Sequence, residues 1–251
     1  MILTKLLPIL FLISNNVLCF DFSIYQKLLD TSVVKQEVQS KVRYSALKAD
    51  PEALKKNTAI FSGVSKADFE KWSKNDQMAF LINSYNFFTI KLIVDHYPVK
   101  SIKKIGGWFS NPWKKKFFQL LGEERSLDEV EHEMLRRDYS EPRIHFAVNC
   151  ASKGCPPLQS LAFRSETLDK QLESAALNFI NSNAFNRYQP KTNTLELSSI
   201  FKWYGNDFGN EMELKTFIAK RHLNLKKKTD ELIKETKIVF LDYDWSLNEE
   251  P

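Results

Sequence analysis

The chain has 251 residues, 36 Lys+Arg against 31 Asp+Glu, a formal charge of +5, and only seven glycines beside 19 phenylalanines. That composition excludes a collagenous or low-complexity chain and a disordered polar tail. It also argues against a nucleic-acid partner. The basic runs Lys114–Lys116 and Lys226–Lys228 are short and read as solvated faces.

The chain opens MILTKLLPILFLISNNVLCF. Lys5 supplies a short basic region, Leu6 to Ile13 is an apolar run, and Val17 and Cys19 are small residues before a cleavage point. This is the pattern of a secretory signal peptide over residues 1–19, and it is too short to span a bilayer. Acylation of Cys19 is a weaker reading because Leu18 is bulky, and a bare membrane anchor is weaker still. An exported protein, periplasmic or secreted, is therefore expected. Its mature chain of roughly 230 residues from Phe20 is long enough for a sizeable core. With no Gly-, Ser- or Pro-rich linker, residues 20–251 read as a single domain.

In chain order, Asp21 to Leu29 has one apolar stripe and predicts a short helix. Val42 and Tyr44 alternate with charged residues, as in a brief extended piece. Pro51 opens a helix to about Phe61 that Gly63 ends, and Ser65 with Asp68 begins another through Trp72. Asn75 to His96, stopped by Pro98, is apolar around most of its circumference and predicts the central buried helix. Asn83 and Asn86, three apart, share a face of it. Their amides tie a loop or strand to the helix, or line a polar cleft. Gly106, Gly107, Trp108 and Trp113 lie in a loop feeding a strand at Lys115–Leu120. Ser126 and Glu129 form a capping box for a helix to about Arg137. HEMLR in that helix lacks the second histidine of a zinc motif, so His132 reads as a helix-surface residue. Arg143 to Asn149 predicts an internal strand. Ser165–Asn181, Ile200–Phe208, Met212–Arg221 and Lys228–Glu235 predict helices, and Thr194–Leu197 and Ile238–Trp245 predict strands. The fold class is α+β: helix-rich, built around the central helix, with a small and largely antiparallel sheet.

The chemistry concentrates in RIHFAVNCASKGCPPL, Arg143 to Leu158. A regular strand there would put His145 on the face opposite Cys150, out of reach for a thiolate–imidazole pair unless the chain bends at Asn149. Cys150 and Cys155 are the two cysteines left after a leader is removed, and export favours their pairing. Gly154 would allow the reversal, and a disulfide closing so short a loop contributes about 2 kcal/mol. Two free thiols or a catalytic thiol are the alternatives. The CxxxxC spacing is too wide and too poor in ligands for zinc, so no metal or other cofactor is expected. His145 must be neutral or paired in its apolar setting. Asn83 or Asn86 could meet it, with Asp207, Asp242 or Asp244 orienting it. It is either a core histidine or a cleft acid/base.

AFLINSYNFFTI (Ala79–Ile90), SLDEVEHEML (Ser126–Leu135), RIHFAVNCASKGCPPL, SIFKWYGNDF (Ser199–Phe208) and YDWSLNE (Tyr243–Glu249) resemble, in order, the motifs of the domain-of-unknown-function family 547. That family occurs in bacterial exported proteins and in plant proteins with added coiled-coil segments. The likeness spans about residues 44–248. It implies shared polar positions at Asn83, Tyr85, Asn86, Glu131, His132, Arg143, His145, Asn149, Cys150, Ser152, Cys155, Trp203, Tyr204, Asp207, Tyr243, Asp244 and Trp245. It also raises His132 to a network partner of Glu131. A looser likeness to the transglutaminase-like and papain-like thiol fold rests on the order of central helix, histidine segment and acidic final strand. The helix here lacks that fold's nucleophile, Ser84 aside.

Three functions follow as expectations. The first is an extracytoplasmic binding or scaffolding domain with a polar and aromatic cleft. It predicts bonded cysteines, His145 away from any thiol, and a partner among extracytoplasmic proteins, peptides or envelope components. The second is a thiol hydrolase or acyltransferase, with His145, Cys150, Asp207 and His132 as its catalytic candidates. The third is a purely structural envelope protein with every polar group satisfied internally.

Overall fold

The computed structural model describes residues 20–36, 39–107, 111–225 and 228–250. The expected leader, Trp108 and two lysines of the second basic run lie outside these residues. The helices are α1 (Ser23–Ser32), α2 (Tyr44–Ala49), α3 (Pro51–Ser62), α4 (Lys66–Phe69), α5 (Lys74–Asp95), α6 (Leu168–Ile180), α7 (Ile200–Trp203), α8 (Glu211–Arg221) and α9 (Asp230–Glu235). A π-helix covers Glu129–Arg136 and a 3₁₀ helix Pro142–Phe146. Strands β1 (Val33–Lys35) and β2 (Ser40–Val42) pair antiparallel, as do β3 (Phe118–Leu120) and β4 (Glu123–Arg125). In the third sheet β6 (Thr194–Leu197) lies between antiparallel β5 (Arg187–Gln189) and parallel β7 (Lys237–Phe240). The fold is the expected helix-rich α+β type.

Sequence signals set these elements where they are strong. Ser73 accepts the Asp76 N–H and starts α5, and every residue from Gln77 to Ile90 is buried. Pro51 occupies the first turn of α3 behind an Asp50 cap. The box at Ser126 and Glu129 closes in both directions, at 2.8 and 3.2 Å.

Apolar side chains gather in two clusters. One surrounds α5 and includes Phe61, Phe80, Phe87, Phe88 and Leu135. The other joins α6, α7, α8 and the third sheet through Phe146, Phe179, Phe201 and Phe208. The 3₁₀ helix Pro142–Phe146 straddles them: Ile144 packs in the first cluster and Phe146 in the second.

That helix corrects the expected strand at Arg143–Asn149. Pro142 holds a helical φ at the first position, and the Glu141 carboxylate accepts the Arg143 N–H at 3.0 Å. A short apolar run does not by itself separate strand from buried helix, and these two residues settle it. The opposite-face argument against His145 and Cys150 therefore loses its basis. The final strand is also shorter than expected, ending at Phe240. Residues 241–250 continue as a strap. Lys153 N–H bonds the Ser246 carbonyl, Gly154 N–H bonds that of Asp244, and Val42 N–H bonds that of Asn248.

Candidate functional site

At the seam between the two clusters lies a cleft of about 200 Å³. The first cluster contributes Tyr85, Val148 and the adjoining Trp113. The second contributes Ile200, Tyr204 and Tyr243, with Trp203 and Trp245 beside them. Asp128, Glu131, His132, His145, Cys150 and Cys155 complete most of the lining, and no Lys or Arg is among the described lining residues. Trp203 stacks on Trp245 at 5.6 Å and stays 47% exposed, an unusual position for so large an apolar ring. Lys103 already places its ammonium 4.6 Å from the Trp245 ring centre.

His145 is 2% exposed. Its Nε2 lies 2.6 Å from Oδ2 of Asp207, and Arg136 grips the same carboxylate in a fork, Nε to Oδ2 at 2.6 Å and Nη2 to Oδ1 at 2.7 Å. Burial pushes the Asp207 carboxyl up, but the hydrogen bonds from Arg136 and His145 outweigh it and hold the group well below the usual carboxylate range. An ionised Asp207 only accepts, so His145 Nε2 carries a proton. In the neutral ring Nδ1 is then a bare acceptor, and this buried atom has no hydrogen-bond partner among the described residues. Of the three carboxylates named for His145, the fold chooses Asp207. Asp242 and Asp244 are exposed on the strap.

The π-helix supplies Glu131, His132 and Arg136 to this assembly; wide turns of this kind recur at functional sites. Glu131 is 5% exposed and accepts the Tyr204 hydroxyl at 2.6 Å, with Tyr85 as a further hydrogen-bonded neighbour. Burial, then the Glu131 charge, raises both phenols well above their ordinary range, so they stay protonated donors. The Tyr204 ring stacks on His145 at 4.0 Å, with the Arg136 guanidinium 5.0 Å from its centre. His132 sits in the network rather than in solvent: its Nδ1 is 2.8 Å from Arg136 Nη1 and its Nε2 is 3.8 Å from Asp128.

The Cys150 and Cys155 sulfurs are at bonding distance, with Cα atoms 6.3 Å apart. The Cys155 sulfur also accepts the Cys150 N–H at 2.9 Å and the Tyr243 hydroxyl at 3.1 Å. Ser152 Oγ lies 2.9 Å from that hydroxyl and 3.1 Å from the Cys150 sulfur. Gly154 plays a different part from the one expected. The left-handed residue of the loop is Ala151, at φ 59°. A Cβ at Gly154 would come within 2.9 Å of three Tyr243 ring atoms, so glycine is needed for close approach.

Other expected residues serve beneath or beside the cleft. Asn83 spans Phe163, donating to its carbonyl at 2.8 Å and accepting its N–H at 3.0 Å. Asn86 does the same for the Ala147 carbonyl and the Asn149 N–H. Neither bonds His145, which corrects that expectation: both amides are consumed holding chain segments. Asn149 braces the cysteine loop through the Pro156 carbonyl at 2.8 Å. Arg143 binds Glu141, Asp169 and Glu173 away from the cleft, and Asp244 caps Ser246. Sequence reasoning missed Arg136, Asp128 and Trp113. Arg136 had a usable signal, four residues after His132 in the SLDEVEHEMLRR run.

No group of three or more His, Cys, Asp or Glu among the described residues could hold a metal ion. No helix among them is long and apolar enough to cross a membrane. No curated protein and no solved structure matches the chain. The family model described as "Protein of unknown function, DUF547" matches residues 69–180. That is shorter than the 44–248 span of the sequence motifs. It contains Tyr85, Glu131, Arg136, His145 and both cleft cysteines, but stops before Tyr204, Asp207 and Tyr243. Over residues 69–180, a little less than half of its length, the chain is similar to the DUF547 family.

Proposed function

We propose that this is an exported binding domain whose cleft takes the amino group of an extracytoplasmic peptide or envelope component. The carrying observation is the lining: six aromatic rings of Tyr and Trp and the carboxylates Asp128 and Glu131, with no Lys or Arg among the described lining residues. Aromatic faces and carboxylates attract a cation together, and a partly exposed tryptophan supplies apolar contact for the rest of the ligand. The leader pattern and the paired cysteines support export. A purely structural role is disfavoured by the open cleft and by the unpaired His145 Nδ1. A thiol enzyme is disfavoured because no sulfur is among the hydrogen-bond partners of His145 or His132.

Tryptophan fluorescence tests the reading, with short peptides added in free-amine and N-acetylated forms. Saturable binding of the free amine, lost on acetylation and weakened about tenfold or more by Asp128→Asn, is expected. Equal binding of both forms, or no saturable change with either, overturns it.

One observation favours a second reading. An Asp-oriented imidazole with its other nitrogen unpaired is the arrangement of a general base. That reading expects cleavage of a bound peptide by the wild type, abolished in His145→Gln while binding persists.

A further inference from the structure

The two sulfurs lining the cleft are not equivalent. Cys150 is half-buried, whereas Cys155 is 6% exposed. An incoming thiol therefore reaches Cys150 more readily. The backbone favours the other sulfur: the Cys150 N–H is fixed and aimed at Cys155 at 2.9 Å. The Tyr243 hydroxyl sits between the two sulfurs, 3.1 Å from Cys155 and 3.2 Å from Cys150, and Ser152 Oγ is 3.1 Å from Cys150. Ser152 faces the Tyr243 hydroxyl, leaving the phenol proton for sulfur. Gly154 is kept bare so that this ring can lie against the loop. A hydrogen bond from a fixed N–H favours a thiolate over a thiol and makes Cys155, the sulfur that receives it, the better leaving group, with the protonated phenol in reach to support the departing charge. A merely stapling disulfide needs neither the donors nor a place in the wall of an open cleft.

We propose that Cys150–Cys155 is a reversible redox pair, in which thiol–disulfide exchange begins at the Cys150 sulfur and releases Cys155 as the stabilised thiolate. The co-reactant is a dithiol. One of its thiolates attacks Cys150 Sγ, the S–S bond breaks, and the electron pair leaves on Cys155 Sγ. The second thiol of the co-reactant, deprotonated, then attacks its own sulfur in the mixed disulfide and displaces Cys150. The dithiol ends oxidised to a disulfide. The protein ends reduced by two electrons, with two protons taken up when both cysteines are thiols. This goes beyond the amine-binding reading and does not rest on it, since it requires only that the cleft admit a thiol.

The test uses the full mature chain, purified oxidised, with dithiothreitol as the dithiol and glutathione as a probe that stalls at the mixed disulfide. Native protein is expected to take up no alkylating agent before reduction and two equivalents after millimolar dithiothreitol without denaturant. Acid-quenched digests of glutathione-treated protein should carry the adduct on Cys150. Tyr243→Phe, which keeps the ring, should slow native reduction about tenfold through loss of one hydrogen bond to the leaving sulfur. Its melting profile checks that the fold persists. Alkylation before reduction, resistance to dithiothreitol until the chain unfolds, adduct on Cys155 or equally on both, or an unchanged rate in Tyr243→Phe each overturns the proposal.

Discussion

Two groups of buried polar side chains lie close together and behave in opposite ways. Beneath the cleft, Asn83 and Asn86 each accept one backbone N–H and donate to one carbonyl, and Asn149 spends its amide bracing the cysteine loop. At the cleft wall, His145 keeps a nitrogen unpaired and Glu131 faces the lining. A closed set of hydrogen bonds specifies a fold, while an open one leaves capacity for something that is not part of the chain. Asparagine and histidine at similar depth thus have different meanings, and the difference is in what their partners leave over.

The sharpest way to break the comparison is to open the closed set. Asn86→Ala leaves the Ala147 carbonyl and the Asn149 N–H buried without partners. At about 1–3 kcal/mol for each of the two orphaned groups, the loss should be about 2–6 kcal/mol, read from urea unfolding. A loss under about 1 kcal/mol would show that water replaces the amide and that the set is not closed.

Asp207→Asn tests the open set. Its folded pKa lies below the ordinary carboxylate value, so the unfolded chain binds the proton more readily. The stability it contributes is present above about pH 4 and is lost as pH falls from there toward its folded pKa. The variant should lose about 1–3 kcal/mol at neutral pH, because the amide cannot accept the full Arg136 fork, and should show a shallower acid slope. Unfolding midpoints at pH 7, 4 and 3 measure both effects. Equal slopes in the two proteins would remove Asp207 from the acid response.

How much of this was legible follows from how local each signal is. The extent of α5 was readable because its apolar surface and its Pro98 stop lie within one segment. The capping pair Ser126–Glu129 and the strand Thr194–Leu197 were equally local. Asp207 could be named as a partner for His145, but only as one of three carboxylates, since a contact across 62 residues is set by packing. The segment at Arg143–Asn149 was misread because its apolar run has no decisive period, while Pro142 and Glu141 act through the backbone of one turn. Arg136 is hard to single out from sequence because arginines at the end of a helix are usually solvated, and its fork on Asp207 joins residues 71 apart.

Gly154→Ala probes the joint between the two groups, where the braced loop meets the cleft wall. The added methyl would sit 2.9 Å from the Tyr243 ring, so ring or loop must move, at about 1–3 kcal/mol. Repeating it in Tyr243→Ala should recover most of that cost. Additive losses in the double variant would mean that the methyl clashes with something other than Tyr243.

The smallest effect comes from a histidine that lies apart from both groups. His222 is buried near Tyr188 and accepts the Asn224 N–H on Nδ1 at 3.2 Å. Burial lowers its pKa below the ordinary value. The unfolded chain therefore takes the proton first, and the stabilising contribution is present above about pH 6.5 and shrinks as pH falls from there. In His222→Gln, overall stability should drop modestly while the loss of stability between pH 7.5 and pH 5 becomes smaller than in the wild type. An unchanged loss across that interval would move the response to another histidine.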